Sequence, residues 1–207
     1  MEDPMRNRRV LKTRQAGWAQ ALAKALGSMG LTPNAISTIG VLFAALGAAA
    51  FMLAPENPHY WLGAAAGIQL RLLANMLDGL VAVEGGKKSA TGPLFNEVPD
   101  RIEDALLLVA AGYACGIPEL GYGATILAFG TAYVRATGGA LGFDQDFSGP
   151  MAKQHRMFVL TLGAVVAFAL DMPRAVEIAL VFIAVGSALT CLTRTWAIAR
   201  QLQAKGA

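Results

Sequence analysis

Side chains able to grip a hard cation or move a proton fall in two short runs: Asn75 and Asp78, then Asn96, Asp100 and Asp104. Asn75 and Asp78 are three apart and share one face of a helix; Asn96, Asp100 and Asp104 recur every four residues and do the same. Carboxylate and amide oxygens suit Mg²⁺ or Mn²⁺ and a substrate that brings phosphates. The same acids could instead pair with Arg71 and Arg101 and fasten two helices, or line a route for ions or protons. Residue types and spacing leave these three readings open.

The elements carrying these residues are set by composition. The chain is 55% hydrophobic and only 15% charged, where a water-soluble domain carries about one-quarter charged residues. Long apolar blocks, some sufficient to cross a hydrocarbon core of about 30 Å as helices, predict an all-α integral membrane protein. Backbone polar groups must be satisfied within the lipid, which favours a helical bundle, and the 23 glycines suit close helix contact. The segment 18–31, with Trp18, Leu22, Leu26 and Met29 set against Gln20, Lys24 and Ser28, predicts an amphipathic helix at the membrane surface. Thr32 and Pro33 then supply a cap and a first helical residue.

Six spans follow, at about 33–53, 59–83, 93–115, 120–137, 155–170 and 174–196, with 197–207 as a short polar tail. The expected organisation is a cytoplasmic segment with its surface helix over 1–31, a membrane domain over 32–200 and a cytoplasmic tail over 201–207. Residues 1–30 are polar and basic and lack the apolar stretch of a secretory signal. Arg6, Arg8, Arg9, Lys12, Arg14, Lys24, Lys87, Lys88, Arg135, Lys153, Arg156, Arg200 and Lys205 fall on the terminal side, against little beyond Arg174 opposite. The positive-inside rule therefore places both termini in the cytoplasm. The net charge of +3 reads as topology and contact with anionic lipid rather than nucleic-acid binding.

Other polar residues have simpler readings. Cys115 and Cys191 form no disulfide framework or metal spacing and read as small buried hydrophobes. His59 and His155 lie on opposite predicted sides, and Trp18, Trp61 and Trp196 sit near span boundaries as interfacial anchors. A short connection between the second and third spans would make them antiparallel neighbours and let their polar faces converge.

The run Asn75-x2-Asp78-Gly79-x2-Ala82-Val83-x8-Gly92-x3-Asn96-x3-Asp100 resembles the CDP-alcohol phosphotransferase signature D-x2-D-G-x2-A-R-x8-G-x3-D-x3-D at every spacing. Six spans, a surface helix before the first and the Thr-Pro-Asn at the start of that first span are also similar to that family. The resemblance implies transfer of a phosphatidyl or related phosphoryl-alcohol group from CDP-diacylglycerol or another CDP-alcohol to a small hydroxyl acceptor, with release of CMP. It implies a metal centre of Mg²⁺ or Mn²⁺ at Asn75, Asp78, Asn96 and Asp100, with Asp100 also as the general base on the acceptor. Gly79, Ala82, Gly92, Arg135, Lys87 and Lys88 are the implied substrate contacts, with Lys153 and Arg156 as weaker ones. Further expectations are an inner-membrane setting, membrane lipids as partners, a homodimer and no nucleic acid. Asn75 and Asn96 stand where the family has aspartates, and Val83 where it has arginine. Amide oxygens ligate but bring no charge, so divalent binding should weaken unless Glu84, Glu97 or Asp104 restores it.

Overall fold

The computed structural model describes residues 16–84 and 90–206, and among them the regular elements are all helices. The helices are α1 (Gly17–Ser28), α2 (Pro33–Leu53), α3 (His59–Glu84), α4 (Gly92–Ala114), α5 (Pro118–Ala140), α6 (Lys153–Ala169) and α7 (Arg174–Gly206). Their ends follow local chemistry. The Thr32 hydroxyl accepts from the Ala35 amide at 3.2 Å, and Pro33 takes the first position of α2. At the end of α4 the chain turns through Gly116 at φ +77, which only glycine adopts without strain. The Ile117 amide then reaches back to the Gly112 carbonyl at 2.9 Å, and Pro118 opens α5.

Six helices close a ring. α2 packs against α3 and α4, α4 continues to α5, α5 to α7, α7 to α6, and α6 returns to α3. α1 lies outside, burying Ala19 and Ala23 against a cluster that includes Leu77, Leu80 and Val81 of α3. Trp18 and Met29 stay exposed, as a surface helix requires. Three helices, α2, α3 up to Val83, and α7, are long and apolar enough to cross a membrane. The outer faces of the ring carry exposed Leu42, Leu46, Ile126, Phe158, Phe182 and Leu192, a belt that suits lipid rather than water.

Small residues set the helix spacing. A Cβ on Gly67 would stand 2.5 Å from the Gly47 Cα, so α2 and α3 meet backbone to backbone. Gly112 and Gly121 do the same for α4 and α5, with a Cβ on Gly112 only 2.8 Å from Gly121. Close approach of this kind exchanges side-chain bulk for dispersion contact. Elsewhere the ring interior is filled by Phe51, Ile68, Leu107, Leu108, Leu160 and Ile183.

Two expectations change. α3 and α4 make few direct contacts, because α2 packs extensively against both; the loop between them is short, yet sequence neighbours are not packing neighbours here. The polar tail is not a separate element either, since α7 runs unbroken to Gly206. Its residues Ala197 to Lys205 are good helix formers without an internal glycine or proline. They also pack: Ile198 lies against Gly138, and the Lys205 ammonium sits 4.2 Å over the Phe143 ring.

Gly67→Ala is expected to destabilise the fold by about 1–3 kcal/mol through overpacking, whereas Gly123→Ala, with nothing within 4 Å of its added Cβ, should be neutral or stabilising. Thermal unfolding of the detergent-solubilised protein checks both, and equal melting points would contradict the close α2–α3 crossing.

Candidate active site

Polar side chains from all six ring helices converge at one end of the bundle. That end collects the start of α2, the end of α3, the start of α4, the second half of α5, the start of α6 and the second half of α7. Alternating helix direction brings these stretches, remote in sequence, to one level.

The deepest layer is a buried ion network. Arg71 of α3 is fully buried and donates from Nη1 to Glu103 Oε2 at 2.6 Å and from Nη2 to Asp104 Oδ1 at 2.7 Å. Glu103 and Asp104 are equally buried. Asp104 accepts a second guanidinium, Arg156 Nη2 of α6, at 2.9 Å. Arg156 is tied in turn to the Met151 carbonyl at 3.1 Å and the Thr131 hydroxyl at 3.3 Å. Arg194 of α7 completes the layer with bonds to the Thr131 carbonyl at 2.7 Å and the Ser148 carbonyl at 2.9 Å. Among the described residues it forms no ion pair, so carbonyl oxygens alone receive its donors. α3 and α4, which scarcely touch, are thus joined by long charged side chains.

Above this layer the groups meet solvent. Asp100 of α4 has a side chain 15% exposed. It accepts from the Lys153 ammonium and from Asn75 Nδ2 at 2.9 Å, with Arg101 at 3.7 Å. The Asn75 amide nitrogen also donates to Glu103 Oε2 at 2.8 Å. Both partners are carboxylates, so the nitrogen must face them and Oδ1 must face away. Asp78, 5% exposed, accepts from the Ser37 hydroxyl of α2 at 2.6 Å, while its Oδ1 is buried without a partner.

The motif residues therefore have different fates. Asn75, Asp78 and Asp100 come together at the open end of the network. Asn96 is exposed one turn before Asp100 and joins none of these bonds. Gly79 and Ala82 follow Asp78 on α3 and are half-buried, and Gly92 is the first residue of α4. Lys87 and Lys88 lie outside the described residues. Arg135 binds Glu97 at 2.5 Å and lies 5.0 Å over the Phe147 ring, so Glu97 is committed there. Asp104 is likewise committed to Arg71 and Arg156, and neither acid makes good the charge missing at Asn75 and Asn96. Arg156 is a structural clamp rather than an open contact.

Sequence reading missed Glu103, Lys153 as the partner of Asp100, Ser37, Thr131 and Arg194. Glu103 carried a usable signal, being three residues after Asp100 and so on its helix face; the fourfold spacing to Asp104 drew attention away from it. The others come from α2, α5, α6 and α7 and had no local signal.

The donor set suits a hard cation: Asp78, Asp100 and the Asn75 amide oxygen are all oxygen ligands, and the orphaned Asp78 Oδ1 is an acceptor for one. Among the described residues no three His, Cys, Asp or Glu side chains gather into a metal cluster, so a cation here draws on amide oxygen as well as carboxylate. The polar end does not continue as a channel. Past Arg71 the interior is filled by Ile68, Leu107, Leu108, Leu160 and Ile183.

Arg71→Leu is expected to cost about 3–5 kcal/mol, because it strands buried Glu103 and Asp104, whereas Arg101→Ala, a longer and partly exposed pair, should cost less than about 1 kcal/mol. Chemical or thermal unfolding in detergent compares them; the reverse ranking would mean that the network does not fasten the bundle.

No protein-family model matches the chain. Phosphatidylinositol phosphate synthase of Mycolicibacterium smegmatis is 27% identical over 190 residues, covering 87% of this chain and 83% of that protein. Phosphatidylinositol phosphate synthase of Mycobacterium tuberculosis, in a crystal structure with CDP-DAG bound, superposes with a TM-score of 0.76 at 23% identity, covering 88% of this chain and 94% of that one. The same enzyme in complex with manganese and citrate gives a TM-score of 0.74 at 23% identity, with coverages of 87% and 88%. The chain thus shares its fold with phosphatidylinositol phosphate synthase, is similar in sequence to such enzymes from end to end, and its motif spacing resembles that of the CDP-alcohol phosphotransferase family.

Proposed function

We propose that the protein is a membrane phosphatidyltransferase that moves a phosphatidyl group from CDP-diacylglycerol to the hydroxyl of a small, phosphorylated polyol and releases CMP. The observation that carries this reading is the convergence of Asn75, Asp78 and Asp100 at the open end of the ring, on a fold shared with enzymes of that name. The acyl chains of such a donor stay in lipid while its diphosphate meets the polar end. The placement of the ionisable groups at that end supports this arrangement.

In this reading Asp78, Asp100 and the amide oxygens of Asn75 and Asn96 hold Mg²⁺ or Mn²⁺. A bound divalent ion would neutralise the diphosphate and stabilise the departing CMP phosphate. The acceptor oxygen attacks the phosphorus that bears diacylglycerol, the bond from that phosphorus to the CMP oxygen breaks, and the hydroxyl proton passes to Asp100. Asp100 is the exposed acid of the network, whereas Glu103 and Asp104 are sealed beneath it, so it is the carboxylate that an acceptor can reach. Lys153 holds Asp100 oriented until the acceptor arrives. Gly79, Ala82 and Gly92 keep the donor side free of bulk, and Lys87 and Lys88 serve as its cytosolic phosphate contacts.

The acceptor's own phosphate falls to Arg135 and Arg194. Arg194 bonds carbonyl oxygens through Nε and Nη1 and forms no ion pair among the described residues, which supports it as an anion contact, and Arg135 is the neighbouring guanidinium on α5. All six ring helices cross the inner membrane, both termini face the cytoplasm, and the catalytic domain is 32–200, flanked by 1–31 and 201–207. The positive residues of the terminal side support that orientation. A homodimer in the bilayer is the proposed assembly.

CMP release is measured with purified protein, CDP-diacylglycerol, Mn²⁺ or Mg²⁺ and a panel of alcohols including inositol phosphate. Turnover is expected with a phosphorylated acceptor, with Asp100→Asn lowering kcat by about 100-fold or more. Arg194→Gln should instead raise KM for the phosphorylated acceptor and spare non-phosphorylated ones. No CMP release across the panel sinks the reading.

A further inference from the structure

Glu103 sits outside the family motif, yet one of its oxygens is spare. Oε2 receives both Arg71 and Asn75, at 2.6 and 2.8 Å. Oε1 is buried without a hydrogen-bond partner, in a residue that is fully buried. A carboxylate oxygen left so costs on the order of 1–3 kcal/mol or more, so its persistence calls for a ligand.

Its surroundings are specific. A Cβ on Gly40 of α2 would lie 2.8 Å from Glu103 Oε1 and 3.2 Å from Asn75 Oδ1. Both acceptor oxygens therefore pack against the bare backbone of α2 at Gly40, where a side chain would displace them. Ser37, one turn earlier on that helix, holds Asp78. Asp78 is itself one turn beyond Asn75 on α3, and it carries the other buried, unpartnered carboxylate oxygen of the site. Among the described residues Asp78 makes no ion pair. Glu103 and Asp78 thus each carry a buried, unpartnered carboxylate oxygen, and the Asn75 amide oxygen lies beside that of Glu103.

We propose that Glu103 supplies the acidic charge that Asn75 lacks, making a composite of Glu103 and Asn75 stand in for the first carboxylate of the divalent-cation centre. The assignment rests on the cation centre of the proposed function and adds a residue on α4 that the motif does not contain. Asn75 then has two roles: Nδ2 fixes the Glu103 carboxylate, and Oδ1 is offered on the same side as Glu103 Oε1. Arg71 orients Glu103 from behind without occupying the spare oxygen. Gly40 is a positioning element, because any side chain there would displace the Glu103 and Asn75 oxygens.

The test is Mn²⁺ binding by the full-length protein in detergent, read by loss of the free-ion electron paramagnetic resonance signal in the absence of substrate. Glu103→Gln is expected to weaken Mn²⁺ binding by about 10–100-fold. Asn75→Asp combined with Glu103→Gln returns the charge to α3 and should recover affinity to within a few-fold of wild type. Gly40→Ala keeps every charge, and it should weaken binding because its Cβ would displace the Glu103 and Asn75 oxygens, which keeps the test sound if Glu103→Gln fails to fold. Wild-type affinity in folded Glu103→Gln or Gly40→Ala overturns the assignment and leaves the cation centre standing. Absence of Mn²⁺ binding by the wild type removes both.

Discussion

A guanidinium with no access to water cannot stand alone, and Arg71 is placed where it must find carboxylates on another helix or destabilise the fold. It finds Glu103 and Asp104, and Asp104 in turn takes Arg156. This chain of charges crosses from α3 through α4 to α6, and Thr131 and Arg194 extend it to α5 and α7. Apolar packing between helices is non-directional, and in lipid it lacks the hydrophobic drive available in water. Directional charge pairs at one level fix the register of helices that small residues alone would allow to slide.

The same network separates fastening from chemistry. Charges sealed below hold the bundle, while Asp100, Lys153 and Arg101 above them remain partly open. Ion pairing, an alternative to an oxygen-ligand centre when read from residue types, holds for the sealed members of the cluster. The network also sets what Asn75 can do. Flanked by Asp100 and Glu103, it serves as a donor between two acids, where an aspartate would add a third negative charge to the pair. A departure from the motif that looks like lost chemistry is electrostatically matched to its surroundings.

The α2 helix has a comparable hidden role. It separates α3 from α4 along most of their length, and Gly40 is the position at which it comes up against Glu103 and Asn75. Ser37 contributes the hydroxyl that holds Asp78. Neither residue looks chemical in an apolar span, and each matters because of what the ring places opposite it.

Membrane residence, helical class, the surface helix and the position of most helix ends were legible from the amino-acid order. So was the grouping of Asn75, Asp78 and Asp100 at one end of the bundle. These depend on local or compositional physics: lipid demands long apolar helices, Thr32 and Pro33 start a helix wherever it lies, and residues three or four apart share a face. The partners of Asp100, Asp104 and Asp78, the sealing of Glu103 and the opposite fates of Asn96 and Glu97 were decided only by tertiary structure. Periodicity says which side chains share a face but not which helix that face meets, and the ring pairs α3 with α2 and α6 rather than with its successor α4. The extension of α7 to Gly206 belongs to the same class, since a polar run of good helix formers needs packing against Gly138 and Phe143 to hold it.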